Sequence, residues 1–327
     1  MTIHLPRRRA LLGLAAGMAA GLGNAQQPPR DLRILVGYPP GGATDVMARL
    51  IAQNMRERSI GNVIVDNRAG AGGRVALDAA RRAPSDGTTV VMTPDFPLTI
   101  FPHLYRKLSY APLTDFAPVA ICGVSEFALC VGPAVPRQIG TAGDFLAWCK
   151  ANPRQALYAS PSPGSTPHFA GLMLARASRV DLTHVSYKGG SQAIQDLLGG
   201  QVPASINPVA EVLPYLESGR LRALATTGAE RSPFLPGVPT LRESGYADVV
   251  ARSWIGLLAP AGIPAAAISA MEQGVGEALR KDTVIQGFAK FGISVDLQTG
   301  GRFRAVLRED TDRWASVVKA SGFTIDE

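Results

Sequence analysis

Short apolar runs alternate with segments whose apolar residues recur at helical spacing almost throughout the chain. That is the pattern of a largely parallel sheet covered by helices, and it predicts an α/β fold. Residues 32–36 read as a strand, after which Val46, Met47, Leu50, Ile51 and Met55 fall on one face of a helix. Val63, Ile64 and Val65 predict a second strand, followed by a glycine-rich turn, a helix through Ala80, an Asp86-Gly87 turn and a strand over 88–92. A second set begins near Phe127, with strands near 128–131, 156–159, 183–186 and 202–206, and two more over 221–226 and 254–258. Beyond Pro264 the pattern turns mostly helical. Ile268, Met271, Val275 and Leu279 make one core stripe; Phe303, Val306, Leu307, Trp314 and Val318 make another. No internal repeat or long linker interrupts the chain, which is consistent with two lobes that the backbone crosses between twice, forming a hinge and a cleft.

Three strand-to-helix loops carry the candidate chemistry: Gly37-Tyr38-Pro39-Pro40-Gly41-Gly42-Ala43-Thr44-Asp45, Ser160-Pro161-Ser162-Pro163-Gly164-Ser165-Thr166-Pro167-His168, and Tyr187-Lys188-Gly189-Gly190-Ser191-Gln192-Ala193. Glycines let backbone N–H groups approach a ligand, and the first turn of a helix adds unpaired donors and partial positive charge, so such loops suit a carboxylate. Each alone reads equally well as a capped turn. Three at the carboxyl ends of strands suggest one shared pocket, a binding signature more than a catalytic one. Thr44, Ser165 and Thr166 either cap their helices or donate to a carboxylate. Asp45 either complements its helix N-terminus or receives a ligand hydroxyl or water. His168 either packs or bonds across the lobes, Lys188 either attracts anions or is solvated, and no spacing suggests a metal site.

The N-terminus changes the picture of where the protein works. Arg7-Arg8-Arg9, an apolar run over 10–22 and small residues at Gly23 and Ala25 read as a signal peptide over residues 1–25, with export by the general or the twin-arginine route left open. Its removal takes three Arg and no acids, so the formal charge of +7 falls to +4. No basic run with interleaved aromatics remains, which argues against a nucleic-acid partner. Cys122, Cys130 and Cys149 are an odd set in a disulfide-permitting compartment; a Cys122–Cys130 bridge forms if their strands are neighbours, and buried thiols are the alternative.

Taken in order, Tyr38-Pro39-Pro40-Gly41-Gly42 with Asp45, Asn67-Arg68 with Gly70-Ala71-Gly72-Gly73, Pro84-Ser85-Asp86-Gly87-Thr88, Asp115-Phe116-Ala117-Pro118, Gly164 with His168, His184-Val185-Ser186-Tyr187-Lys188-Gly189-Gly190, Asp196-Leu197-Leu198-Gly199-Gly200-Gln201-Val202 and Trp254-Ile255-Gly256-Leu257-Leu258-Ala259-Pro260 resemble the periplasmic solute receptors of tripartite tricarboxylate transporters, the Bug receptors. The resemblance covers nearly the whole chain after residue 25. It implies a two-lobed type II periplasmic-binding-protein fold with a ligand cleft, lobe 1 from 26–126 plus 250–327 and lobe 2 from 127–249. It implies a monomeric, non-enzymatic receptor without cofactor or metal that passes a small organic acid to membrane permease subunits. Carried onto this chain, the ligand contacts are Tyr38, Gly41, Gly42, Ala43, Thr44 and Asp45, with Thr93 and Asp95 in a flanking loop. Lobe 2 is expected to add Ser162, Gly164, Ser165, Thr166, His168, Gly189, Gly190, Ser191 and Asn207. Two departures matter: Ser162-Pro163 stands where a Gly-Asn pair is usual, and Asn207-Pro208 lacks the neighbouring acid, which points to a ligand without an essential ammonium group.

Two other classes compete. Ser165 near His168 raises an exported serine hydrolase, against which stands the lack of a Gly-x-Ser-x-Gly elbow. Nucleotide binding is weaker, since Gly70-Ala71-Gly72-Gly73 lacks the third glycine of a dinucleotide fingerprint and no phosphate loop occurs. A receptor that feeds a sensor kinase uses the same clamp and is not separable by sequence.

Overall fold

A computed structural model describes residues 30–55, 60–187 and 189–325. The signal-peptide reading over 1–25 and the reading of Lys188 lie outside the described residues.

The chain forms β1 (Arg30–Val36), α1 (Ala43–Asn54), β2 (Ile60–Asn67), α2 (Arg74–Arg81), β3 (Thr89–Pro94) and three single-turn helices, α3 (Phe96–Thr99), α4 (Phe101–Leu104) and α5 (Pro112–Asp115). Then come β4 (Phe116–Val131), α6 (Ala142–Ala151), β5 (Leu157–Ser160), α7 (Thr166–Ser178), β6 (Thr183–Ser186), α8 (Gly190–Leu198), β7 (Ala204–Pro208), α9 (Val209–Glu217) and β8 (Arg222–Thr226). β9 (Arg252–Pro260), α10 (Ala265–Leu279), α11 (Asp282–Ala289), β10 (Ile293–Thr299) and α12 (Gly300–Ser321) complete the order.

β1 lies parallel between β2 and β3, β9 runs antiparallel beside β3, and β4 follows β9. β4 is longer than its sequence suggests. It starts near Phe116 and not near Ala128, and its 16 residues pair with four strands, β10 among them over 120–125. Residues 116–126 pair with β9, while 127–131 pair with β7 and β8. β5 then lies parallel to both β7 and β6. The alternation of side chains along β4 explains the burial on both faces: Ala128 and Cys130 join one core cluster with Ile194 and Leu197 of α8, and Phe127, Leu129 and Val131 join another with Phe145 and Phe169. In β1, Leu32, Ile34 and Val36 pack with Met47 and Ile51, while Leu35 faces Leu77 on the opposite side.

The backbone passes between the two parts of the sheet twice, and the passages touch. Phe127 N donates to Thr227 Oγ1 at 3.1 Å, Thr227 N to Phe127 O at 2.9 Å, and Ala251 N to Thr227 O at 2.8 Å. The C-terminal helix adds a third connection. Its apolar stripe begins with Phe303 and Leu307 against the β1–β3–β9 part and ends with Trp314 and Val318 packed beside Phe169 and Leu174 of α7. Phe323 sets its ring edge-on to His168, and Ile325 N donates to Leu104 O at 3.2 Å.

The cysteines follow from this topology. Cys122 and Cys130 sit on one strand eight positions apart, roughly 25 Å at the usual rise, so the bridge between neighbouring strands does not form. All three thiols are buried and free, and burial pushes each up to about 12. Thiol titration in denaturant without reductant is expected to return three thiols per chain; recovery of one would contradict the strand assignment.

Candidate functional site

The loops that follow β1, β3, β5, β6 and β7 all leave the carboxyl ends of their strands and converge on a cavity of about 730 Å³. Of the residues expected from sequence, Tyr38, Ser162, Ser165, Thr166, Gly189 and Gly190 lie on its wall. Gly41 and Gly42 are exposed, Ala43 and Thr44 follow at the start of α1, and none of the four is on the wall.

In the first loop, Gly41 N donates to Asp45 Oδ2 at 2.9 Å, and Arg49 and Asn67 donate to the same carboxylate at 2.8–3.1 Å. Burial pushes the Asp45 carboxyl up, but the bonds from Arg49, the Gly41 amide and Asn67 outweigh it and hold it below the ordinary range. With both oxygens bonded inside the fold, Asp45 fastens the loop to β2, and the ligand-hydroxyl role is set aside. The loop also packs backbone to backbone against the glycine turn: a Cβ on Gly37 would stand 2.6 Å from Gly73 Cα. Tyr38 caps that contact, its hydroxyl donating to Gly72 O at 3.1 Å.

Thr93 and Asp95 lie beneath the cavity floor. Thr93 is buried and donates to Pro94 O. Asp95 is fully buried, and its carboxylate accepts from the hydroxyl of Ser253, which does line the cavity. Its second oxygen has no partner. Burial pushes this carboxyl up to about 7, with Asp310 adding to the rise and Ser253 and Arg313 opposing it.

In the second loop Ser165 Oγ donates to Ser162 O at 2.7 Å, and Gly164 N donates to His168 Nδ1 at 3.1 Å. His168 is buried, stacked on His184 with ring centroids 3.9 Å apart. Burial first and His184 second push His168 down to about 3, so the ring stays neutral and packs. Ser165 and His168 therefore each serve the loop, and no hydroxyl–imidazole bond joins them. A Ser160–His184 pair at 2.8 Å, absent from the sequence reading, is buried behind the loop and also serves it. Thr166 differs from its neighbours: it is on the wall, 1 % exposed, and its hydroxyl oxygen has no partner. An orphan hydroxyl at the first turn of α7 costs stability unless something fills it.

At the third loop Gly189 and Gly190 reach the wall, but Ser191 is turned to an exposed groove beside Tyr187 and Gln195, since one helical step rotates a side chain by about 100°. Asn207 is buried behind the wall, accepting from Ser205 and donating to Gly190 O at 3.2 Å and to Glu211 Oε2 at 3.3 Å. Glu211 itself lines the cavity, and burial raises its carboxyl above the usual range while Asn207 opposes the rise. Sequence reasoning missed it. The available signal was its position in the first turn of α9, directly after the strand-to-helix junction at Pro208 that carries Asn207. Phe101, Tyr105 and Phe127 were also missed as lining residues, while Phe96 lies on the wall at the end of the flanking loop that carries Thr93 and Asp95. Arg74 stands at the edge, its guanidinium 4.0 Å from the Tyr105 ring centroid.

Among the described residues no group of three or more His, Cys, Asp or Glu could hold a metal ion, and no helix is long and apolar enough to cross a membrane. What the walls offer is neutral donors at two helix starts, a buried orphan hydroxyl, the Glu211 carboxyl, the Arg74 guanidinium at the edge and a largely apolar box.

The family model described as Tripartite tricarboxylate transporter family receptor matches residues 47–323. Protein BugT of Bordetella pertussis is 33 % identical over 324 residues, covering 98 % of this chain and 99 % of that protein. Among solved structures, an R. palustris protein with adipate aligns with a TM-score of 0.80 and 28 % identity, over 91 % of this chain and 99 % of that one. MatC from Rhodopseudomonas palustris with bound malate aligns with a TM-score of 0.75 and 29 % identity, over 89 % and 99 %.

Asp95 supplies a test of the floor. Its carboxyl holds a proton more tightly when folded than at the ordinary value of 3.8, so its stabilising share is full below that value and is lost as pH rises to about 7. Asp95→Asn keeps an acceptor for Ser253 and removes the charge. In urea melts it should gain on the wild type by up to about 4 kcal/mol on passing from acid to mildly alkaline pH; a difference independent of pH would refute the assignment.

Proposed function

The chain belongs to the tripartite tricarboxylate transporter receptor family, and from that premise we propose that it is an extracytoplasmic receptor that takes a small organic acid into the cleft and delivers it to membrane permease subunits. The observation that carries this reading is Thr166, a buried hydroxyl without a partner, at the start of a 13-residue helix that opens on the cavity. An anion there meets the unpaired amides and the positive end of α7, together with a buried hydroxyl that has no hydrogen-bond partner. The adipate and malate of the two structural relatives are acids of the size the cavity holds.

The fold favours capture followed by release. Neutral donors avoid the desolvation cost of a buried ion pair, and bridging waters substitute for direct contacts at little cost. Phe127, Thr227 and Ala251, where the two passages touch, are the hinge on which the parts 26–126 plus 250–327 and 127–249 close over the ligand. The protein acts as a monomer in the periplasm after loss of residues 1–25, and it performs no chemistry on what it carries.

Thr166→Val separates binding from folding. Losing an orphan hydroxyl should leave the melting temperature of the unliganded protein unchanged or higher. The same change should weaken the acid identified in a thermal-shift screen of adipate, malate and other carboxylates by about tenfold, roughly one hydrogen bond to a charged group. Unchanged affinity in calorimetry would remove α7 from the site.

A further inference from the structure

Glu211 gives the cleft a negative charge that the sequence reading had not placed there. Its carboxyl leans over the start of α8 so closely that a Cβ on Gly190 would fall 1.7 Å from Oε2. The bare backbone of Gly190 leaves room for that approach, which puts a carboxyl group at the helix end where an anionic ligand would otherwise be drawn. Asn207 gives it one hydrogen bond at 3.3 Å, and no Lys, Arg or His among the described residues pairs with it. Most of its acceptor capacity faces the cavity, since an ionised carboxyl offers about four acceptor positions.

The two helix starts on this wall are therefore unlike. Among the described residues, the free group at α7 is a neutral hydroxyl with no hydrogen-bond partner, and at α8 it is an acid with no cationic partner. A ligand carboxylate placed against α8 would meet Glu211 at contact range, where like charges repel. The same charge attracts an ammonium and satisfies its N–H groups with charge-assisted bonds. Phe127, Phe101 and Ile255 line the same cavity and favour a hydrocarbon body.

We infer that Glu211 determines specificity, selecting an organic acid that carries an ammonium group, an amino acid in the broad sense, over dicarboxylates and tricarboxylates of the same skeleton. This inference rests on the carboxylate-receptor reading above. It also reverses the expectation drawn from Asn207-Pro208: the acid missing beside Asn207 in sequence is restored one helical turn later.

Calorimetry on wild type and Glu211→Gln tests it with two matched sets of acids, valerate, norvaline, δ-aminovalerate and glutarate, then hydrocinnamate, phenylalanine and benzylsuccinate, with adipate and malate alongside. In the wild type an amino member of a set should bind at least about tenfold tighter than its deaminated and dicarboxylate counterparts. Glu211→Gln should reduce that member's affinity by about tenfold or more and leave the dicarboxylates unchanged or tighter, at an unchanged melting temperature. A dicarboxylate that binds the wild type as tightly as its amino counterpart, or a preference that survives in the variant, overturns the role of Glu211 and leaves the receptor reading standing. Saturable adipate or malate binding with no amino acid bound does the same. Binding of no acid to either protein overturns the receptor reading, and this inference falls with it.

Discussion

A single unbroken strand, β4, holds both halves of the sheet, and the position of every ligand-facing loop depends on it. Residues 116–126 and 127–131 of one strand are hydrogen-bonded to different neighbours, so the two halves cannot separate without breaking backbone ladders. Relative motion is confined to twisting and bending where the partners change, at Phe127 and its bonds to Thr227. The far end of α12 adds a restraint of a different kind. Trp314 and Val318 share a core with Phe169 and with Phe101 and Leu104, and apolar contact is non-directional, so it tolerates sliding that a ladder would not. A shared strand with a greasy bearing behind it permits a small closing motion and resists complete opening.

Polar groups behind the wall are spent on holding loops still, which frees the wall to be mostly backbone. Asp45 gathers Gly41, Arg49 and Asn67; His168 takes the Gly164 amide; Asn207 ties Ser205, Gly190 and Glu211 together. Each of these three groups finds partners within the protein, in contrast to Thr166 and the second oxygen of Asp95. Preorganisation of this sort reduces the ordering cost that binding must overcome. It also explains why several residues with suitable chemistry in sequence do not reach the cavity: their bonding capacity is already used.

The sequence made the element order legible because strands and helices of this fold carry strong and different periods. Its α/β class, the strands at 32–36 and 254–258 and the stripes of α10 and α12 all follow from that. The full length of β4 was not legible, since Phe116, Pro118 and Gly123 interrupt the strand pattern while pairing with β9 and β10 decides the conformation. In the site, glycine-rich loops announced themselves through composition, and Gly189, Gly190 and Thr166 were found that way. Ser191 was misplaced because adjacency in sequence is not adjacency on a helix face. Glu211 and the aromatic wall were missed because each takes its role from a neighbour distant in sequence: Glu211 from Gly190, and Phe101 from α12 and α7.

Selectivity and release pull against one another in a carrier, and the unequal treatment of the two helix starts reconciles them. A site that matched every ligand charge with a buried opposite charge would bind tightly and release slowly, because most differences in affinity appear in the off-rate. In the binding mode proposed above, the anionic end would meet dipoles and a hydroxyl, which discriminate little between carboxylates. Discrimination is left to one charge on the opposite part of the wall, which acts as much by repelling wrong ligands as by holding the right one. Glu211 keeps contact with solvent across the cleft, so opening rehydrates that end first and lowers the barrier to departure.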